Sequence, residues 1–163
     1  MQSNFYQKEN VMKNVMMLLA VAVVIGTVQF TIAEELTQRD QHKIAVQAIC
    51  PVSGQQLGSH GQPIKAMVGE EEVFLCCKGC LKGSVNQQHW ATIHANFTKA
   101  QAICPVMKKN LPNNPKWTIV QGQIIYICCP PCTKKIAADP ATYLTKVNEL
   151  YAAAVSKGKE SRR

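Results

Sequence analysis

Residues 47–52 read Gln-Ala-Ile-Cys-Pro-Val, and residues 101–106 read Gln-Ala-Ile-Cys-Pro-Val again. An ordered identity of this kind, followed each time by the same cysteine pattern, marks an internal duplication, so the fold must be one small unit built twice. In the first copy Cys50 is followed by Cys76, Cys77 and Cys80; in the second Cys104 is followed by Cys128, Cys129 and Cys132. The Cys-Cys-x-x-Cys spacing is kept while the loop before it changes length. Each unit is about fifty residues, below the size at which a hydrophobic core alone is comfortable, so a staple is expected: disulfides or a metal.

Between the cysteines each copy carries two short apolar stretches around a polar turn, 64–68 with 72–76 and 117–120 with 123–127, and Gly69 and Gly122 sit at the turns. Both read as β-hairpins. Helical spacing follows. In the second copy Asp139 suits an N-cap with Pro140 at the first helical position, and Tyr143, Leu144, Val147, Leu150, Tyr151, Ala154 and Val155 share one face. Trp90, Ile93 and Phe97 give a shorter version in the first. The Glu70–Glu72 run belongs to a hairpin turn and is read as solvated. The expected class is small α+β, with two tandem zinc-finger-like units over 47–97 and 98–157, each a cysteine turn, a hairpin and a helix. A lead-in segment (34–46) precedes them, and 158–163, lacking apolar residues, is expected to be a disordered tail.

Lys8 and Lys13 precede an apolar run from Val15 to Val28, and Thr31-Ile32-Ala33 offers a signal-peptidase-like site before Glu34. Residues 1–33 are therefore expected to be a signal peptide. The alternative is an uncleaved N-terminal hydrophobic helix, because residues 15–33 make a segment of about 19, near bilayer length. Either reading sends the remainder to a periplasmic or other extracytoplasmic compartment, with membrane contact only through residues 15–33 if uncleaved. The formal net charge is +8, and loss of residues 1–33 would leave +7. The lysines are dispersed and aromatics are few, so a solvated basic surface is expected and no nucleic-acid partner.

Eight cysteines in an exported chain call for disulfides or for something that occupies the thiols. One cysteine at a Pro-fixed turn and two more at a strand-to-helix junction bring ligands from separate segments together, as in a zinc finger. Sulfurs three or four positions apart share a face of a first helical turn, where the helix N-terminus favours thiolate. Adjacent cysteines in a strand point to opposite faces, which leaves open whether Cys76 or Cys77, and Cys128 or Cys129, joins the first and last cysteine of each set. All eight are candidate metal-site residues. Thiolate donors suit zinc or copper(I) and disfavour magnesium and calcium. Met107, three residues after Cys104, offers a thioether, but Ser53 takes that place in the first copy, which argues for packing instead.

The order Cys-Pro-Val, hairpin, Tyr126-Ile127-Cys128-Cys129-Pro130-Pro131-Cys132 and Ala138-Asp139-Pro140-Ala141-Thr142-Tyr143-Leu144 resembles the YHS and TRASH group of treble-clef, heavy-metal-binding domains. The resemblance covers most of residues 47–150. It implies metal ligation by Cys104, Cys128 and Cys132 and, through the duplication, by Cys50, Cys76 and Cys80. It also implies a role in metal sensing, trafficking or resistance, often beside a metal pump; the expected function is soft-metal trafficking, storage or resistance, with a metal transporter or other envelope protein as partner. The first copy departs from the pattern, having Gln87-Gln88-His89-Trp90 where Asp-Pro-x-x-Tyr would stand.

Two other readings compete: a disulfide-stabilised interaction module, and a small thiol-disulfide oxidoreductase using Cys77-Lys78-Gly79-Cys80 and Cys129-Pro130-Pro131-Cys132. The second lacks the βαβ pattern such enzymes need. No other catalytic constellation is present, and no enzyme is expected. His89 and His94 lie about 140° apart on a helix and cannot share an ion. Neither they nor His60 recur in the second copy, although His60, in a glycine-flanked loop, is the best placed of them. His42 lies in the polar lead-in with no partner nearby.

Overall fold

The computed structural model of the chain describes residues 36–161. The expected signal peptide or hydrophobic helix lies outside the described residues, within which no helix is long and apolar enough to cross a membrane. The element order is α1 (Gln38–Gln47), β1 (Ile64–Val68), β2 (Glu71–Leu75), a 3-10 turn (Lys78–Lys82), α2 (Gln87–Gln101), β3 (Lys116–Val120), β4 (Gln123–Ile127), α3 (Pro131–Ala138) and α4 (Pro140–Glu160). This is a small α+β fold with two antiparallel hairpins.

The hairpins pair Ile64 with Leu75 through Val68 with Glu71, and Lys116 with Ile127 through Val120 with Gln123. Gly69 alone has positive φ at the first turn, as a II′ turn requires, whereas Gln121 and Gly122 both do at the second, as in a I′ turn. Glu72 N–H donates to the Gly122 C=O at 2.7 Å, so the two hairpin turns touch. A Cβ on Gly122, at φ +77°, would sit 3.0 Å from Glu72 Cβ, while one on Gly69 meets nothing. Gly122→Ala is therefore expected to cost about 1–3 kcal/mol in chemical denaturation, and Gly69→Ala nearer 1 kcal/mol, from backbone conformation alone.

The expected lead-in is a helix. Thr37 caps α1 in a reciprocal box with Asp40, and Lys43, Val46 and Gln47 are buried. α1, α2 and α4 pack on one another. The larger core joins Val46 of α1, Ile93 and Phe97 of α2, all of Ile124–Ile127 of β4, Ile136 of α3 and Leu144, Val147 and Tyr151 of α4. Phe97 and Tyr151 stack with centroids 5.6 Å apart. A smaller core gathers Cys50, Leu57, Phe74, Leu75 and Cys76. α2 is longer than its three apolar residues suggested, starts under an Asn86 cap and runs through the boundary expected between residues 97 and 98. Asp139 caps α4, as expected, by accepting from Thr142 N–H. That helix continues to Glu160, into the segment expected to be a tail. Once a long helix is nucleated by packing, each added residue needs little, and Lys157 and Lys159 in the last turn favour its negative end.

The acidic turn also departs from expectation. Glu71 is 2 % exposed, with Oε2 3.3 Å from His94 Nε2, and Glu72 pairs with Lys43 at 3.2 Å. The cause is that β2, though one of only two strands in its sheet, is covered along nearly its whole length, so its first residues are drawn in. His94 also meets the Tyr126 hydroxyl at 2.8 Å, which gives this histidine a structural place between the copies.

Candidate metal centre

Each centre is built by the repeated hexapeptide. Gln47 and Gln101 are fully buried and act as a side-chain strand. Gln47 Nε2 donates to the C=O of Phe74 at 2.7 Å and of Ile49 at 2.9 Å, while Phe74 N–H donates to Gln47 Oε1 at 2.8 Å. Gln101 repeats this with Tyr126, at 2.7 and 2.9 Å, and with the Ile103 C=O at 3.1 Å. Phe74 and Tyr126 each stand two residues before the first cysteine of Cys-Cys-x-x-Cys. The glutamines thus clamp the turn bearing Cys50 or Cys104 to the strand that delivers the others. Ala48 and Ala102 follow at φ 65° and 51°, with Ile49 N–H donating to the Gln47 C=O and Ile103 N–H to that of Gln101. These are γ-turns, a strained conformation, held at equivalent points just ahead of each first cysteine.

All eight cysteines are free thiols. Cys50, Cys76 and Cys80 bring their sulfurs within 4.8 Å of one another, and so do Cys104, Cys128 and Cys132. In the first set Cys76 and Cys80 are 3.6 Å apart; in the second Cys132 lies 3.8 Å from Cys104 and 4.0 Å from Cys128. Thiolates at about 2.3 Å from a tetrahedral ion would be separated by about 3.8 Å, so the spacing fits a metal–thiolate site without rearrangement. Of each adjacent pair the earlier cysteine enters the mutually close set. Cys77, extended at φ −163°, caps the 3-10 turn with its sulfur 3.9 Å from Cys76 and 4.0 Å from Cys80. Cys129 lies 3.7 Å from Cys128 and 3.3 Å from Cys132. Both therefore border two of the three sulfurs. Among the described residues no histidine joins either set. His60 is exposed, and the His89 ring instead lies over Gly54.

Electrostatically each set holds one thiol ready to ionise. Burial pushes the Cys50 thiol up, but the N–H groups of Ser53, Cys76 and Val52 and the Ser53 hydroxyl outweigh it and bring it down to about 6. Cys104 is lowered in the same way, burial being outweighed by the N–H groups of Met107, Cys128 and Val106. Cys80 is pushed up to about 12 by burial and by the neighbouring Cys76 and Cys50 sulfurs, and Cys132 is raised by burial with Cys129 and Cys104. A cation would displace the remaining protons. In the metal-free protein the Cys50 thiolate should appear as absorbance at 240 nm rising near pH 6, lost in Cys50→Ser. Because the folded value lies below the ordinary 9.0, its stabilising contribution is complete above pH 9 and disappears as pH falls through about 6.

The described residues thus define a small α+β protein with two cysteine sites able to hold a metal ion. In comparisons with known proteins, no family model, no curated protein and no solved structure matches the chain.

Proposed function

We propose that this chain is an exported, non-catalytic protein that binds a soft metal ion, zinc or copper(I), at two centres, for trafficking, storage or resistance. The observation that carries the reading is the pair of equivalent three-sulfur clusters, each spaced for one ion. The proposed ligands are Cys50, Cys76 and Cys80 in one centre and Cys104, Cys128 and Cys132 in the other, with Cys77 and Cys129 as bordering thiols. The resemblance to YHS and TRASH domains supports the same ligands and a treble-clef arrangement of turn, hairpin and helix. Export rests on residues 1–33, and the partner in this reading is a metal transporter or other envelope protein. The chain's own part is to preorganise three thiols, ionise one, and release protons as the ion enters.

Native mass spectrometry with thiol counting tests this on protein purified without reductant. Bound zinc or copper, with thiols reactive after chelation, is expected. Four disulfides and no metal under any condition would sink the proposal. The 3.3 Å approach of Cys129 and Cys132 is the observation that favours thiol-disulfide exchange instead. That reading requires insulin reduction that vanishes in Cys129→Ser.

A further inference from the structure

The two centres differ at a position that the duplication places beside the sulfurs. Ser53 and Met107 each stand third after the first cysteine of their set. They occupy the same place in the same turn. The N–H of the next residue, Gly54 or Lys108, donates to the C=O of Cys50 or Cys104 at 2.9 and 2.8 Å, and those residues have φ of 72° and 54°. In the first centre a side chain from this position reaches the cluster, for Ser53 Oγ lies 3.3 Å from Cys76 Sγ.

In the second centre the equivalent group is a thioether. Met107 is 43 % exposed and belongs to neither hydrophobic cluster of the described residues, so the packing role expected of it does not hold. An unbranched, flexible side chain with no core to fill is left on a residue whose own N–H faces the Cys104 sulfur. The surroundings differ in which cysteine is covered. Cys132 is 1 % exposed and Cys128 half-buried, whereas in the first centre Cys76 is buried and Cys80 half-buried. Pro130 and Pro131 lead into a true α-helix where Lys78 and Gly79 open a 3-10 turn.

We propose that the centres have diverged in metal preference, and that Met107 is a metal-facing residue that makes the second centre select copper(I) over zinc. The inference rests on the cysteine sets being metal centres. A thioether is a soft, neutral donor that suits copper(I) and adds little for zinc. The Ser53 hydroxyl is a hard oxygen, and once Cys76 is a thiolate ligand the hydroxyl can only donate to it, drawing charge from the sulfur and weakening the first centre for the softer ion.

The test uses the full chain, with Cys50→Ser to isolate the second centre and Cys104→Ser to isolate the first. Affinities for copper(I) and zinc are read by competition with chromophoric chelators. Met107→Ser is expected to weaken copper(I) at the second centre by about tenfold or more while zinc changes less than about threefold, and Ser53→Met to strengthen copper(I) at the first. With 13C-methyl-labelled methionine, the Met107 signal should shift on addition of copper(I) while that of Met67, exposed on β1, stays in place. A stationary Met107 signal, or equal effects of Met107→Ser on both ions, overturns the divergence while leaving the centres intact. Failure of the unsubstituted chain to bind either ion overturns the metal reading and this inference together.

Discussion

Replacing Cys104 with serine is expected to leave one bound metal ion in place of the two proposed for the unsubstituted protein. Cys104 is fully buried and sits in the turn whose N–H groups favour its thiolate, so a hydroxyl there supplies neither the charge nor the soft donor. Apparent binding energies of structural zinc sites are about 10–16 kcal/mol, so losing one of three thiolates weakens a centre on the order of a thousandfold. The first centre shares no ligand with the second and should keep its ion. Cys50→Ser should give the mirror-image result. Native mass spectrometry reads both, and an unchanged stoichiometry would show that the ligand sets are wrong.

Gln101→Leu should be the most damaging substitution outside the cysteines. Among the described residues it removes the only side chain reaching the Tyr126 N–H and C=O, and it leaves the Ile103 C=O without that donor as well. A buried polar group left unpaired costs about 1–3 kcal/mol, so the sum is about 3 kcal/mol or more against a total stability of about 5–15 kcal/mol. A fall of roughly 10 °C or more in Tm is expected by circular dichroism. Because the clamp sets Cys104 against Cys128, metal affinity at the second centre should fall too, and excess metal should restore part of the lost Tm. Gln47→Leu, which releases Phe74, should act on the first centre. Loss of stability with unaltered metal affinity at both centres would confine the glutamines to a packing role.

These glutamines show where reading the sequence stops. They lie inside the repeated hexapeptide and recur with the cysteines, yet composition ranks glutamine as a surface residue, and only the fold reveals that each pairs with a strand edge. The hairpins and the Asp139 cap were legible because turn glycines and an Asp-Pro start act locally. Helix α1 is not legible from apolar periodicity, although Thr37 and Asp40 spell out a capping box, because its buried face includes Asp40, Lys43 and Gln47 rather than an apolar stripe. Glu71 reads as solvated in the sequence because burial of a strand on both faces depends on the other copy, which local pattern does not encode. The choice of Cys76 over Cys77 likewise follows from strand alternation meeting the turn that holds Cys50.

X-ray absorption at the metal edge of the loaded protein bears most directly on the central claim. A first shell of sulfur alone, with metal–sulfur distances near about 2.3 Å for zinc and two ions per chain, is the expected result. A shell dominated by nitrogen or oxygen, or protein that takes up no metal once its thiols are reduced, would contradict it.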